Sequence, residues 1–187
     1  MSFRMGLPFV CFFFALSLFD GVKYPFMTLL AVLIHELGHI LAARLVKTPI
    51  SSLSCGIHGF SMTFDFSSLS WRKECFVILS GSMTGLIAAS AVRGFGDGLA
   101  YFAQVSSVLS LLNLLPVRGL DGGEALFCIL NRFLLPHRSD GIAKAVSWCT
   151  AVLFWLCAVW IQLRVHPNLS LLAASVYLLL RSTISES

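Results

Sequence analysis

His35, Glu36 and His39 stand as His-Glu-Leu-Gly-His inside the apolar run from Phe26 to Val46. On a helix the two histidines lie about one turn, roughly 6 Å, apart on one face, where both imidazoles reach one tetrahedral zinc ion. Glu36 follows the first of them, so its carboxylate can lie beside the metal without entering the coordination shell. There it acts as general acid/base, taking a proton from a zinc-activated water and returning it to a leaving amine. Zinc brings the pKa of such a water from about 15.7 to about 7, which makes the chemistry hydrolytic at neutral pH. The bland alternative is a chance coincidence of three polar residues, common enough on soluble helices. The apolar flanks argue against it, because an ionisable side chain near the centre of a membrane helix costs about 2.5–3.5 kcal/mol. A bound dication compensates three such groups together.

Two histidines need a third partner, since a catalytic zinc takes three protein ligands and keeps one position open. Asp121 is favoured. Pro116 and the glycines around it break the fourth apolar run and can turn a carboxylate back toward the bilayer. Glu124 is the next candidate by spacing, and Asp65 and Glu74 are poorer, being on loops or helix ends that water reaches.

The elements that must position these groups belong to a membrane protein. Of 187 residues, 57% are hydrophobic and only 12% charged, against about 25% charged in soluble domains. The net charge of +4 is therefore read from where Lys and Arg fall along the chain, not as a nucleic-acid footprint. Six cysteines (Cys11, Cys55, Cys75, Cys128, Cys149, Cys157) form no C-x-x-C pair and read as reduced core residues.

Arg4 precedes an apolar stretch, Leu7 to Phe19, read as an uncleaved first membrane helix that extends at most to Val22. The motif helix follows, opened by Pro25 and closed by Arg44, Lys47 and Pro49; its 21 residues span about 31 Å. From Ser51 to Phe66 the period changes to two, with Phe60, Met62, Phe64 and Phe66 alternating with polar residues. That predicts a β-hairpin turning at His58-Gly59. Further spans are expected over Glu74–Val92, where Ser80-Gly81-Ser82 and Gly85 would admit a close neighbour, then Leu99–Leu115, Ala145–Leu163 and Leu169–Leu180. Glu124–Leu135 is apolar but too short to cross, and Arg132–Lys144 reads as a loop. The expected fold is thus an α-helical polytopic membrane protein of about six transmembrane helices, with a small hairpin between the second and third. It forms a single domain over residues 1–187, with a catalytic core over about 25–126 and C-terminal helices over 144–181.

With six spans, Arg4, Arg44, Lys47, Arg72, Lys73, Arg118, Arg132, Arg138, Lys144 and Arg181 share one side, ten of the thirteen basic residues. The positive-inside rule makes that side, and both termini, cytoplasmic. His58 reads as a turn residue, and His137 and His166 as solvated loop residues. Trp148, Trp155 and Trp160 read as lipid-facing or packing side chains.

The pairing of His35-Glu36-Leu37-Gly38-His39 with Asn113-Leu114-Leu115-Pro116-Val117-Arg118-Gly119-Leu120-Asp121-Gly122-Gly123 resembles the site-2 protease family of intramembrane zinc metallopeptidases. Its signatures are HExxH and NxxPxxxLDGG, and the resemblance covers roughly residues 25–126. It implies that His35, His39 and Asp121 bind one zinc ion per chain and that Glu36 is the general acid/base. It also implies that Asn113 helps place a membrane-tethered protein substrate and that the hairpin offers a strand edge to the unwound substrate, around Phe60, Met62 and Phe64. The family's third span often carries a Gly-Pro-x-x-Asn-like motif, where this chain reads Gly81-Ser82-Met83-Thr84-Gly85. Glu124 stands where a basic residue or histidine commonly follows LDGG. There is no room for a PDZ or CBS domain, and the layout most resembles the compact, sporulation-type branch; the lipid bilayer and a regulatory membrane partner complete the expected surroundings. Two other readings compete: a membrane protein that holds or moves zinc without cleavage, and an inactive scaffold for partner membrane segments. Glu36 separates the first from a protease, since a storage or transport site has no use for a non-ligand carboxylate there.

Overall fold

The computed structural model describes residues 3–5, 23–56, 59–66, 69–164 and 169–184. Along the chain these form β1 (Phe3–Met5), α1 (Lys23–Leu45), β2 (Ile50–Gly56), β3 (Gly59–Phe64), α2 (Trp71–Val92), α3 (Gly96–Asn113), α4 (Asp121–Phe133), α5 (Pro136–Arg164) and α6 (Leu169–Ile184). The chain divides into two units, Met1–Leu112 and Asn113–Ser187.

In the first unit α1 wears its apolar side outward. Leu33, Leu37, Leu41 and Leu45 recur every four residues and are exposed, while Ala31, His35, His39, Ala42 and Ala43 are buried. α2 repeats the pattern, with Phe76, Met83 and Ile87 outside and Ser80, Gly81, Ser82, Gly85 and Ala89 inside. Large apolar side chains facing out and small or polar ones facing in suit a lipid solvent, where helices associate through close backbone approach. α1, α2 and α5 are long and apolar enough to cross a membrane, over Pro25–Leu45, Trp71–Val92 and Pro136–Arg164. α3 and α6 do not meet the same standard: α3 carries Asp97, Gln104 and Asn113 within its 18 residues, and α6 has only 16. The expected first span over Leu7–Phe19 lies outside the described residues.

α1 ends through Lys47 at φ 61°, with the Thr48 amide donating to the Ala43 carbonyl at 2.9 Å. This is the left-handed closure that usually employs glycine. It turns the chain into β2, which pairs antiparallel with β3, Leu53 opposite Met62 and Gly56 opposite Gly59. Ile57 and His58, at the expected turn, are outside the described residues. β1, which the sequence reading took for the flank of a membrane helix, pairs parallel with β2, Arg4 opposite Ser54. A three-residue strand carries too little pattern to be read from sequence. The sheet order is β1-β2-β3, so β2 is central.

In the second unit the expected Arg132–Lys144 loop is mostly helix. Leu134 caps α4 through its amide on the Leu130 carbonyl (2.9 Å), and α5 starts at Pro136, with the Arg138 and Ser139 amides on the Leu135 carbonyl. Proline at the first helical position starts a helix well, and the polar residues after it form two solvated turns before the apolar run. His137 is accordingly in the first turn of α5. Ser139, Ala143, Ser147 and Ala151, four residues apart, are its buried face. Val117, Leu120, Ala151 and Leu178 form the core of this unit. Among the described cysteines, Cys75, Cys128, Cys149 and Cys157 form no disulfide; Cys11 lies outside the described residues.

Candidate metal centre

His35 and His39 are 5% and 8% exposed, on the face of α1 turned toward α2. Their Nε2 atoms are 3.3 Å apart and the rings meet edge to face, with centroids 5.0 Å apart. The Nδ1 of His39 lies 2.9 Å from the Val77 carbonyl oxygen on α2. A carbonyl only accepts, so Nδ1 carries the proton and Nε2 presents its lone pair toward His35. This is the orientation that metal-ligating histidines take from a carbonyl behind them. Two nitrogens held about 2.0–2.1 Å from a tetrahedral zinc lie about 3.3 Å apart, which is the separation seen. The pair would therefore suit a shared zinc ion, held by the two Nε2 atoms.

Two glycines make room for this arrangement. A Cβ on Gly81 would collide with the His39 ring, 2.6 Å from Cδ2 and closer still to Nε2. A Cβ on Gly38 would lie 2.6 Å from Thr84 Oγ1 and 2.7 Å from the Ser80 carbonyl oxygen. Gly38 on α1 and Gly81 on α2 thus each admit the other helix, and the carbonyl of Val77 one turn earlier turns the imidazole. At Gly85 the same closeness admits α3: a Cβ would strike Ser110 Oγ, and Ser106 Oγ donates to the Gly85 carbonyl at 3.0 Å. Sequence reasoning recorded the small residues of α2 as a packing signal. That Gly81 lies against the His39 ring is a contact no spacing rule reveals. Glu36, half-buried, follows His35 by about 100° around α1.

Asn113 and Asp121 belong to the second unit, both partly buried. Asn113 closes α3 and Asp121 is the first residue of α4. The turn between them is packed so tightly that the two glycines after Asp121 are obligatory. A Cβ on Gly122 would overlap the Leu114 carbonyl and lie 2.7 Å from that of Leu115. One on Gly123 would overlap the Val117 carbonyl and lie 2.8 Å from the Arg118 amide nitrogen. The Asp-Gly-Gly run therefore sets the first turn of α4 directly on the preceding backbone. Gly119 takes φ 82°, and its amide donates to Glu124 Oε1 at 2.8 Å. Glu124, the second candidate ligand by spacing, is thus engaged in closing the turn; Asp65 and Glu74 flank the start of α2 in the first unit. Phe60, Met62 and Phe64 are all in β3.

No family model matches the chain. Among solved structures, the chain is similar to a site-2 protease from Methanocaldococcus jannaschii, with a TM-score of 0.71 at 19% sequence identity, over 96% of this chain and 86% of that one. The protein has the fold of a site-2 protease.

Proposed function

We propose that this protein is an intramembrane zinc metalloendopeptidase of the site-2 type, hydrolysing a peptide bond in or beside the membrane segment of a tethered protein. The observation that carries this reading is the His35–His39 nitrogen pair at 3.3 Å with the His39 proton held on Val77. Asp121 would be the third donor, as the resemblance implies, and the fold is that of a site-2 protease. A zinc ion held there supplies an activated water at neutral pH. The chain does the rest: the buried imidazoles exclude bulk solvent, the Glu36 carboxylate takes a proton from the attacking water, and the same oxygen returns it to the leaving amine nitrogen. Asn113 would help place the substrate, as the resemblance implies.

A helical substrate hides its carbonyls in hydrogen bonds and must unwind before attack. Among the described residues β3 has β2 on only one side, so its other edge is the place where an extended substrate would add, around Phe60, Met62 and Phe64. Successive N–H groups of a strand point to opposite sides. Of Met62→Pro and Thr63→Pro, therefore, one removes a donor from the ladder with β2 and the other from the open edge. The edge variant should stop cleavage of a helical substrate and spare one carrying Gly-Pro near its scissile bond. In this reading the two units act as one peptidase domain over residues 1–187, about six helices span the cell membrane, and both termini and the clustered basic residues are cytoplasmic. The branch is the compact, sporulation-type one.

The test is co-expression with single-span membrane proteins. Shortened products should appear with the wild-type chain and vanish with Glu36→Gln, which keeps its zinc. Persistence of the same products in Glu36→Gln would assign them to another protease.

A further inference from the structure

Arg118, three residues before Asp121, has contacts that reach well beyond its own turn. Its backbone N–H donates to Ser147 Oγ at 3.1 Å, while its Nη2 lies 3.9 Å from Asp140 Oδ1. Ser147 and Asp140 are seven residues apart on α5, hence on one face and about 10 Å apart along the axis. That is close to the reach of an extended arginine. The residue therefore lies along two turns of α5, main chain at one end and guanidinium at the other. On its other side the guanidinium covers the Phe127 ring, 3.8 Å from the centroid, and its Nε is 4.0 Å from Glu124 Oε1. Phe127 and Glu124 are on α4, the helix that Asp121 begins. Asp140 is itself held by Lys144 at 3.0 Å, one turn further on.

We propose that Arg118 is the positioning residue for Asp121: it ties the first turns of α4 to the polar start of α5 and so fixes where the Asp121 carboxylate stands. The inference rests on the reading of Asp121 as a zinc ligand. Arginine suits the task because a planar guanidinium meets a carboxylate and an aromatic face at once, which a lysine ammonium does not do. The backbone glycines of the turn exclude alternatives by collision, but they do not hold the turn to α5. Within the second unit Val117 and Leu120 supply apolar anchorage, which is not directional, whereas Arg118 fixes rotation and register.

The experiment is zinc affinity of the purified full chain, measured by competition with a chromophoric chelator, for Arg118→Met, Arg118→Lys and Asp140→Asn, each alone and in the Asp121→Asn background. Arg118→Met keeps the stem over Phe127 and removes the charge. It should weaken zinc binding about 10-fold, in the range of other residues that orient a ligand, with Arg118→Lys intermediate and Asp140→Asn weaker by a few fold. In the Asp121→Asn background none of the three should have a further effect, because the group they position is gone as a ligand. Unchanged affinity in Arg118→Met, or the same fold-loss in both backgrounds, would overturn the proposal and leave Arg118 a general stabiliser of the unit. Should Arg118→Met fail to accumulate, Asp140→Asn carries the same prediction at smaller amplitude. A wild-type chain that takes up no zinc overturns the metal site itself, and this inference with it; zinc bound normally with no Arg118 effect overturns this inference alone.

Discussion

In the proposed zinc site, the histidine pair and the aspartate turn are built by different physical routes. His35 and His39 are related by the helix repeat: once α1 forms, four residues put both rings on one face, and Gly38, Gly81 and the Val77 carbonyl refine the fit. Asp121 has no such repeat behind it. It stands where it does because the first turn of α4 lies on the carbonyls of Leu114 and Val117, which tolerate only Gly122 and Gly123. Its turn is further held by Glu124, Ser147 and the apolar contacts of Val117 and Leu120. A ligand pair built on a helix depends on few neighbours, each at van der Waals contact. A ligand built on a turn depends on many neighbours, each of which contributes a little.

The comparison breaks most readily at Gly81. Alanine there drives a methyl group into the His39 ring, and relief requires moving either the imidazole or the helix. Zinc retention after dialysis should fall about 100-fold or more, the upper end of what disturbed ligand orientation costs, and cleavage should be lost with it. Wild-type zinc in Gly81→Ala would mean that α1 and α2 separate without cost. On the turn side, Gly122→Ala should weaken zinc about 10- to 100-fold by the same measure. It should leave membrane insertion intact and a weakly held ion on the histidines. Smaller again is Ser147→Ala, which takes the acceptor from the Arg118 amide. A loss of about 1 kcal/mol, roughly fivefold in zinc affinity, is expected for one such bond, and a larger loss would show that Ser147 also acts elsewhere. Least of all, Leu37→Ala, between the two histidines in sequence but on the exposed face of α1, should change zinc affinity and thermal stability by less than about 0.5 kcal/mol. A large effect there would mean that this face of α1 is covered by protein, not lipid.

What was legible in the sequence divides along the same line. The motif helix, the small-residue α2, the break at Pro116 and the two-residue period of β2 and β3 follow from periodicity and turn chemistry, and the structure has these elements. The pairing of His35 with His39 on one face was readable because a helix repeat converts spacing into geometry. Spacing distinguishes Asp121 from Glu124 only weakly, since both flank the same glycines; the structure gives Glu124 the Gly119 amide to accept from. The residues that tune the site were not legible. Val77 acts through its carbonyl, which every residue possesses, and Gly81 acts through the absence of an atom. The start of α5 was misread because Pro136 and its polar successors resemble a loop in composition, although proline is also a favoured first helical residue. β1 was hidden because three residues beside an apolar stretch carry no period.

The central claim is that two helix-borne histidines and one turn-borne aspartate hold a single zinc ion. X-ray absorption at the zinc edge of the purified full-length chain tests it most directly. One zinc per chain is expected, with about four nitrogen or oxygen neighbours at about 2.0–2.1 Å and two imidazoles in the outer scattering. Asp121→Asn should lower occupancy and keep both imidazoles, and the His35→Ala, His39→Ala double variant should abolish the signal. Sulfur neighbours near 2.3 Å, or full occupancy in the double variant, would place the metal on cysteines or elsewhere and contradict the account.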